Sequence, residues 1–256
     1  MSDKKLLDLE VKNNQKICSD IYLMELKADK FAYSIKPGQF VHVSCNNQNE
    51  TYLRRPLSIF DVDFENNTIS LLYKVVGKGT SHFSTLKPGD MVNLMGPLGN
   101  SFSLDYQKPL IIGGGIGVAP LKFLVRKFNE KNVQPDVVLG FSENDQLEIV
   151  NLFKDVKCNL HISTDEISQY FCGNSCQLAS IVLEKQDFDA IFACGPKIML
   201  QNIPQTNLPT YISLEEYMAC GVGACLGCAV KNSDGGYSHV CKDGPIFEAK
   251  GVVINE

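Results

Sequence analysis

Four cysteines near the C-terminus have the types and spacing of iron–sulfur ligands. Cys220, Cys225 and Cys228 follow the pattern C-x4-C-x2-C, and Cys241 comes after twelve intervening residues. This is the ligand order of a plant-type [2Fe–2S] cluster, in which four thiolates hold two irons. Glycines crowd the first three cysteines and would let the backbone turn tightly and bring N–H groups to the sulfurs. The spacing therefore predicts a one-electron centre with these four cysteines as ligands.

A structural zinc site is the alternative for the same cysteines. Zinc sites usually combine two C-x2–4-C pairs, and the second pair is missing here. The spacing and the glycines together favour the iron–sulfur interpretation. The four histidines have no ligand-like neighbours in the sequence, so no role is assigned to any of them: His42, His82, His161 and His239.

The composition argues against several other classes of protein. A length of 256 residues allows two domains and a small appendage, and a net charge of −5 gives no reason to expect nucleic acid or an anionic membrane as partner. The N-terminus lacks the apolar core of a signal peptide. The longest apolar stretch, 110–125, is interrupted by glycines, a proline and a lysine and is a poor membrane span. Ten cysteines without an export signal favour a reducing cytoplasm over a disulfide framework.

Two different sequence patterns predict the domains that must position the cluster. Up to about residue 102, short apolar segments such as 40–44, 68–76 and 91–94 alternate with turn dipeptides, which predicts an antiparallel β-barrel. From Pro109, apolar strand segments alternate with helical patterns, which predicts a parallel α/β domain. The fold class is thus multidomain, β plus α/β. The predicted domains are a barrel at 1–104, an α/β domain at 105–211 and a small cluster domain at 212–256.

A glycine-rich turn lies between the first strand and the first helix of the α/β region, in the stretch 113–120. Glycines at such a turn let a phosphate approach backbone N–H groups at a helix N-terminus. Tight packing alone is the alternative, but the position in an α/β domain favours dinucleotide binding. The predicted contacts are Gly113, Gly114, Gly115 and Gly117.

A second apolar strand ends in Cys194-Gly195-Pro196 and would reach the same edge of the sheet. Ligands of such sheets bind at that edge, so Cys194 is a candidate for facing the nicotinamide, with a buried structural cysteine as the alternative. After the strand that ends at Phe141, the acidic residues Glu143 and Asp145 have no neighbouring arginine, which favours NAD(H) over NADP(H).

The barrel region contains two turns rich in hydrogen-bond donors. Arg54 and Arg55 precede Pro56-Leu57-Ser58, and an arginine fork followed by a hydroxyl suits a pyrophosphate. The second turn is Gly77-Lys78-Gly79-Thr80. Either segment alone has a plain structural explanation, a charged strand end or a hairpin, whereas the pair in one barrel predicts a flavin cradle.

Taken together, these motifs resemble the ferredoxin reductase superfamily and, more narrowly, the electron-transfer subunits of type B, NAD-dependent dihydroorotate dehydrogenases. The match runs nearly end to end, and its most specific part is the cysteine segment. The segments that carry it are 54–59, 76–80, 96–102, 113–120, 194–196, 213–228 and 241–247.

The resemblance implies that this chain holds FAD rather than FMN, with NAD(H) as co-substrate. On the matching positions Arg55 pairs with the FAD pyrophosphate, Ser58 with the isoalloxazine region, and Gly79 and Thr80 with the phosphate side. The full set of predicted cofactor-binding residues in the barrel is Arg55, Pro56, Leu57, Ser58, Tyr73, Lys74, Val75, Gly79 and Thr80.

The family also implies a separate FMN-containing subunit that oxidises dihydroorotate in pyrimidine synthesis, with two copies of each subunit in the assembly. Electrons would pass from that FMN through the cluster and FAD to NAD. The cofactors carry this chemistry, so we predict no general acid or base in the chain. Two other functions remain open: the flavin subunit of a ferredoxin:NADP, hydrogenase or sulfide dehydrogenase type of reductase, and a non-enzymatic redox sensor.

Overall fold

The computed structural model describes residues 4–45 and 51–254. Residues 1–3 and 255–256, the outer ends of the first and third predicted domains, lie outside the described residues. The first part of the chain is a closed antiparallel barrel with the strand order β1-β2-β5-β4-β3-β6, which confirms the predicted barrel. Its strands are β1 (Lys5–Cys18), β2 (Ile21–Lys27), β3 (Phe40–Val43), β4 (Arg55–Asp63), β5 (Thr68–Lys74) and β6 (Met91–Leu98).

Side-chain alternation decides which residues fill the barrel. On β3, Val41 and Val43 belong to the barrel core together with Leu57 and Ile59 of β4. His42, which lies between them on β3, points outward, since successive side chains of a strand face opposite sides. After β5 the chain forms a short helix, α1 (Lys78–Phe83), from the second predicted flavin turn.

The second part is a parallel sheet with helices, as predicted. The strand order is β10-β9-β8-β7-β11-β12-β15, where β15 (Ile246–Glu248) comes from the cysteine segment. Central strands β7, β8 and β11 are buried along their whole length, because both faces of such a sheet are covered. The elements are β7 (Pro109–Gly114), α2 (Leu121–Glu130), β8 (Asp136–Phe141), β9 (Asn159–Thr164), β10 (Phe171–Cys172), α3 (Ser175–Lys185), β11 (Ala190–Cys194), α4 (Lys197–Gln201) and β12 (Thr210–Ser213).

The cysteine segment contributes a small hairpin and one strand of the large sheet. β13 (Ala229–Lys231) and β14 (Tyr237–His239) pair between the third and fourth cysteines. β15 (Ile246–Glu248) pairs antiparallel with β12 at the edge of the sheet. The cluster segment thus shares hydrogen bonds with the α/β part, and the domain boundaries at 104/105 and 211/212 stay predictions.

None of the helices in the described part of the chain has both the length and the apolar character needed to cross a lipid bilayer.

A group of buried charges joins the barrel to the α/β part. Lys122 and Arg126, both on α2, contact Asp61 of β4, with the Lys122 Nζ–Asp61 Oδ2 distance at 3.0 Å and the Arg126 Nε–Asp61 Oδ1 distance at 2.7 Å. Both cations also contact Asp155, at 2.9 and 2.7 Å. The hydrogen bonds that Arg126 donates to Asp61 raise the pKa of Arg126 above its ordinary value. One carboxylate of the barrel therefore holds two cations of the neighbouring helix.

We predict that Asp61→Ala destabilises the protein far more than Asp155→Ala. The side chain of Asp61 is 9% exposed and that of Asp155 is 54% exposed. Removing Asp61 leaves buried cations without their main partner, which costs about 3–5 kcal/mol, whereas an exposed pair contributes below about 1 kcal/mol. Urea unfolding of the two variants measures the difference. Equal losses of unfolding free energy would show that the buried network does not join the two parts.

Candidate functional site

The glycine-rich turn and the Cys194-Gly195-Pro196 segment meet at the carboxyl edge of the sheet. β7 and β11 are neighbours, and Gly113 lies opposite Cys194 in their register. A Cβ atom placed on Gly117 would lie 2.6 Å from the backbone nitrogen of Gly195 and overlap its Cα. Only glycine at 117 permits this backbone contact, so the structure brings together the two motifs predicted to hold the dinucleotide.

One glycine of the turn remains open on its outer side. Gly115 has φ +53°, a left-handed conformation that suits glycine. A Cβ placed there would meet no atom within 4 Å, whereas Gly114 is covered by the sulfur of Met199. The turn then continues as a 3₁₀ helix, Gly115–Val118, towards α2. Open backbone at this position is where an anionic ligand can approach N–H groups.

The thiol of Cys194 lies inside the protein at this edge. The residue is buried, and burial raises the pKa of its thiol strongly, with the nearby Glu215 adding to the effect. The thiol also hydrogen bonds the side chain of Ser213, which lies opposite it on β12. Cys194 is therefore a neutral thiol, and the prediction that it faces a nicotinamide stays a prediction.

Glu215 is a residue of this edge that the sequence did not single out. It follows β12 by two residues, and the residue as a whole is exposed. Desolvation at its carboxyl group raises its pKa. The sequence offered no signal for it, because it stands among the residues that lead into the cysteine loop. Of the acidic residues behind the NAD preference, Asp145 accepts a hydrogen bond from the Ser19 backbone N–H at 3.1 Å, and Glu143 is exposed.

The two predicted flavin turns also meet. A Cβ on Gly79 would lie 3.0 Å from Nε of Arg55 and 2.8 Å from the sulfur of Cys45. The glycine therefore lets α1 approach the arginine at the start of β4. The Thr80 hydroxyl accepts a hydrogen bond from the Val76 backbone N–H at 2.9 Å, which fixes the first turn of this helix. The same hydroxyl donates to the Gly77 carbonyl, so it serves the helix itself. The resulting corner places Arg55 beside the first turn of α1, an arrangement that suits a pyrophosphate.

The neighbouring Arg54 has a different place. Its guanidinium donates to the backbone carbonyls of His42 and Asn93, both at 3.2 Å, and so ties β4 to β3 and β6. Arg55 instead donates to the Leu53 carbonyl at 2.8 Å and remains partly exposed. Arg54 is thus engaged by the barrel strands, and the predicted pyrophosphate contact of Arg55 stays a prediction.

Other predicted flavin contacts divide between the two sides of the barrel wall. Ser58 lies opposite Phe40 on β3 and is half-buried, whereas Leu57 is in the barrel core. Tyr73 is buried in the same core, and its hydroxyl donates to Asn14 at 3.1 Å. Its side chain is therefore occupied inside the barrel, and only its backbone remains for the predicted contact. The predicted contacts Pro56, Lys74 and Val75 lie on or beside β4 and β5, and Lys74 pairs with Asp20 at 3.3 Å.

The cysteine loop directs backbone N–H groups at the predicted ligands. The N–H groups of Ala224 and Cys225 point to the Cys220 sulfur at 3.3 and 3.4 Å. The Gly223 N–H points to the Cys241 sulfur at 3.1 Å. Burial raises the pKa of the Cys220 thiol, but these donors and that of Val222 outweigh it and lower the pKa to about 6. Such a thiol deprotonates readily, as a metal ligand must.

The four sulfurs form two pairs. Cys220 hydrogen bonds Cys225, and Cys228 hydrogen bonds Cys241. Within residues 4–45 and 51–254, no three metal-ligating side chains converge as one ion would require. Two pairs of thiols with backbone donors suit a two-iron cluster, in which each iron takes two thiolates, better than a single zinc ion. The donor set therefore fits the predicted [2Fe–2S] group.

Asn100 attaches the end of the cysteine segment to the barrel. Its amide nitrogen donates to the Asp243 and Ile246 carbonyls at 3.0 and 2.8 Å, and its side-chain oxygen accepts from the Ile246 N–H at 2.9 Å. Its own N–H donates to the Gly244 carbonyl at 2.6 Å. A Cβ on the preceding Gly99 would lie 2.8 Å from that same carbonyl oxygen. The cluster segment is thereby fixed in place just after Cys241.

We predict that Asn100→Ala loosens the cluster segment and lowers the unfolding free energy by about 1–3 kcal/mol, because the Asp243 and Ile246 backbone groups lose three side-chain hydrogen bonds, two of them partly buried. Asn100→Asp, which keeps an acceptor for the Ile246 N–H but loses both donors, is the matched control and is expected to be partly impaired. Amide hydrogen exchange at 243–248 and the iron content per chain measure the effect. Wild-type exchange rates in Asn100→Ala would show that this residue does not hold the segment.

Comparison with known protein families gives two matches to this chain. Residues 8–102 match the oxidoreductase FAD-binding domain. Residues 215–253 match the iron–sulfur cluster binding domain of dihydroorotate dehydrogenase B. The first covers the barrel with the Arg55 corner, and the second covers all four predicted cluster ligands.

Relatives of known name match the chain along its length. The dihydroorotate dehydrogenase B (NAD(+)) electron transfer subunit of Desulforamulus reducens is 39% identical over 97% of this chain and 98% of its own. The subunit of the same name from Bacillus velezensis is 35% identical over 98% of this chain and 100% of its own.

A solved structure of an NADH-dependent reduced ferredoxin-NADP oxidoreductase superposes with a TM-score of 0.85 at 28% identity, over 96% of this chain and 89% of that one. The reductase GcoB from Amycolatopsis, at a TM-score of 0.66 and 20% identity, covers 78% of this chain and 65% of its own and shows the shared fold. The predicted resemblance is confirmed by these matches: the chain belongs to the family of dihydroorotate dehydrogenase B (NAD(+)) electron transfer subunits.

Proposed function

We propose that this chain is an NAD-dependent electron-transfer subunit that links a dihydroorotate-oxidising partner to NAD+ in pyrimidine synthesis. One observation carries the proposal: a four-cysteine loop with N–H donors to its sulfurs is packed onto the same barrel that presents the Arg55–Gly79 corner. A one-electron site, a flavin site and a nucleotide site are thus built into one chain.

Three parts of the chain hold the cofactors in this proposal. The residues at the Arg55 corner bind FAD, the turn at Gly113–Gly117 with the Cys194-Gly195-Pro196 segment binds NAD(H), and the four cysteines bind [2Fe–2S]. Bound FAD would supply the exchange between a hydride and single electrons. The protein's own residues bind, orient and shield these groups, and none is proposed to act as a general acid or base.

The partner is proposed to be an FMN-containing dihydroorotate dehydrogenase catalytic subunit, in an assembly of two copies of each chain in the cytoplasm. The names of the relatives support a partner, since an electron transfer subunit needs a subunit that supplies electrons. The exposed side chains of Val222 and Leu226 in the cysteine loop support contact on that side, because electrons from the partner must enter the cluster there.

A second candidate is the flavin subunit of a ferredoxin:NADP type of reductase. The superposition with the reduced ferredoxin-NADP oxidoreductase supports it. Two observations weigh the other way: the higher identity to the dihydroorotate dehydrogenase B subunits along both chains, and the match of the cluster segment to that family's domain.

The test is an anoxic affinity purification of the tagged chain from its own cells, with proteins and flavins identified. We expect an FMN-bearing partner in equal amount, and dihydroorotate-dependent NAD+ reduction by the complex. The isolated chain should oxidise NADH with artificial acceptors but should not oxidise dihydroorotate. A ferredoxin-dependent or hydrogenase-type partner, or dihydroorotate oxidation by the isolated chain, would contradict the proposal. Recovery without any partner would favour a redox sensor.

A further inference from the structure

His42 lies between the predicted flavin strand and the cysteine loop. On β3 it stands opposite Pro56 of β4 and opposite Met95 of β6. Residues opposite each other in antiparallel strands share one face, so these three form a row on the outside of the barrel. The His42 side chain is nonetheless completely buried. Something other than the barrel must therefore cover it.

The cysteine loop is that cover. A Cβ placed on Gly221 would lie 2.7 Å from Nδ1 and 3.4 Å from Cε1 of His42, and 3.3 Å from Cε of Met95. Gly221 has φ +68° and directly follows the predicted ligand Cys220. The imidazole edge and the methionine methyl group thus form the floor on which this loop rests, and the ring nitrogen faces the loop.

Both ring nitrogens of His42 lack a hydrogen-bond partner in the part of the chain that the structure describes. Leaving buried polar atoms unpaired is costly, and an apolar residue of similar size would avoid that cost. An imidazole ring carries at least one N–H donor in each of its protonation states. His42 therefore has an unpaired, buried donor beside the cysteine loop.

We propose that His42 is a positioning residue for the cluster: its ring N–H donates a hydrogen bond to a sulfur of the bound [2Fe–2S] group, and this contact raises the reduction potential of that group. The inference rests on the proposed function, since it requires the cluster in the cysteine loop. Hydrogen bonds to the sulfurs stabilise the more negative, reduced state, and they are a main determinant of cluster potential.

The first test compares His42→Met with Met95→Leu in the purified, cluster-loaded chain. His42→Met fills a similar volume without an N–H group, and Met95→Leu changes packing at the same floor without touching a polar atom. Iron and sulfide are counted per chain, and the cluster potential is measured by redox titration followed by electron paramagnetic resonance. We expect a lower cluster potential in His42→Met, an unchanged flavin potential, and wild-type values in Met95→Leu.

The second test uses the wild-type chain and therefore applies even if His42→Met does not retain its cluster. In the wild-type chain labelled with ¹⁵N-histidine, pulsed electron paramagnetic resonance of the reduced cluster should show a weak ¹⁵N coupling. That coupling should be absent in His42→Asn, which offers an amide donor in place of the ring and should retain the cluster.

Two results would overturn the role of His42 while leaving the proposed function intact. One is a fully loaded His42→Met with a wild-type cluster potential, and the other is a loaded wild-type chain without a histidine coupling that depends on position 42. A shift in the flavin potential alone would assign the ring to the flavin and would also overturn it. A wild-type chain with no cluster at the four cysteines would overturn the proposed function itself, and this result is seen before any variant is compared.

Discussion

The cysteine loop packs closely on the outside of the barrel, and this contact sets the position of the predicted cluster relative to the predicted flavin strand. Glycines at 99 and 221 leave room for a backbone carbonyl and for the His42 ring, where a Cβ atom would overlap. Asn100 then joins the two parts with hydrogen bonds to the backbone around Gly244. Electron transfer between cofactors depends on the distance between them. The contact between the cysteine loop and the barrel therefore decides whether electrons can pass between the predicted cluster and the predicted flavin.

The nucleotide edge is held to the same barrel from the other side. Asp61 of the barrel binds two cations of α2, the helix that follows the glycine-rich turn. β15 returns from the cysteine segment to the edge of the large sheet. Three contacts thus hold the parts of the chain together. The Asp61 network joins the barrel, with its Arg55 corner, to the helix after the glycine-rich turn. β15 joins the cysteine segment to the large sheet, and Asn100 joins the same segment to the barrel.

Sequence patterns predicted the barrel, the α/β sheet and its central strands well, because those depend on local alternation and on turn residues. The strand 190–194 and the start of α2 at Leu121 lie where the pattern placed them. The surroundings of His42, Asn100 and Glu215 could not be predicted, since each depends on contacts between segments far apart in sequence. Resemblance to a family also leaves side-chain orientation open. Tyr73, which the resemblance places at the flavin, has its side chain inside the barrel.

We propose that the chain passes electrons between a nucleotide and its cluster by way of the flavin. The most direct measurement mixes NADH with the anoxic, cofactor-loaded chain and follows flavin absorbance in stopped flow and the cluster signal by freeze-quench electron paramagnetic resonance. We expect that flavin bleaching comes first and that the reduced-cluster signal then rises. Flavin reduction with a cluster that stays oxidised, or a cluster reduced before the flavin, would contradict it.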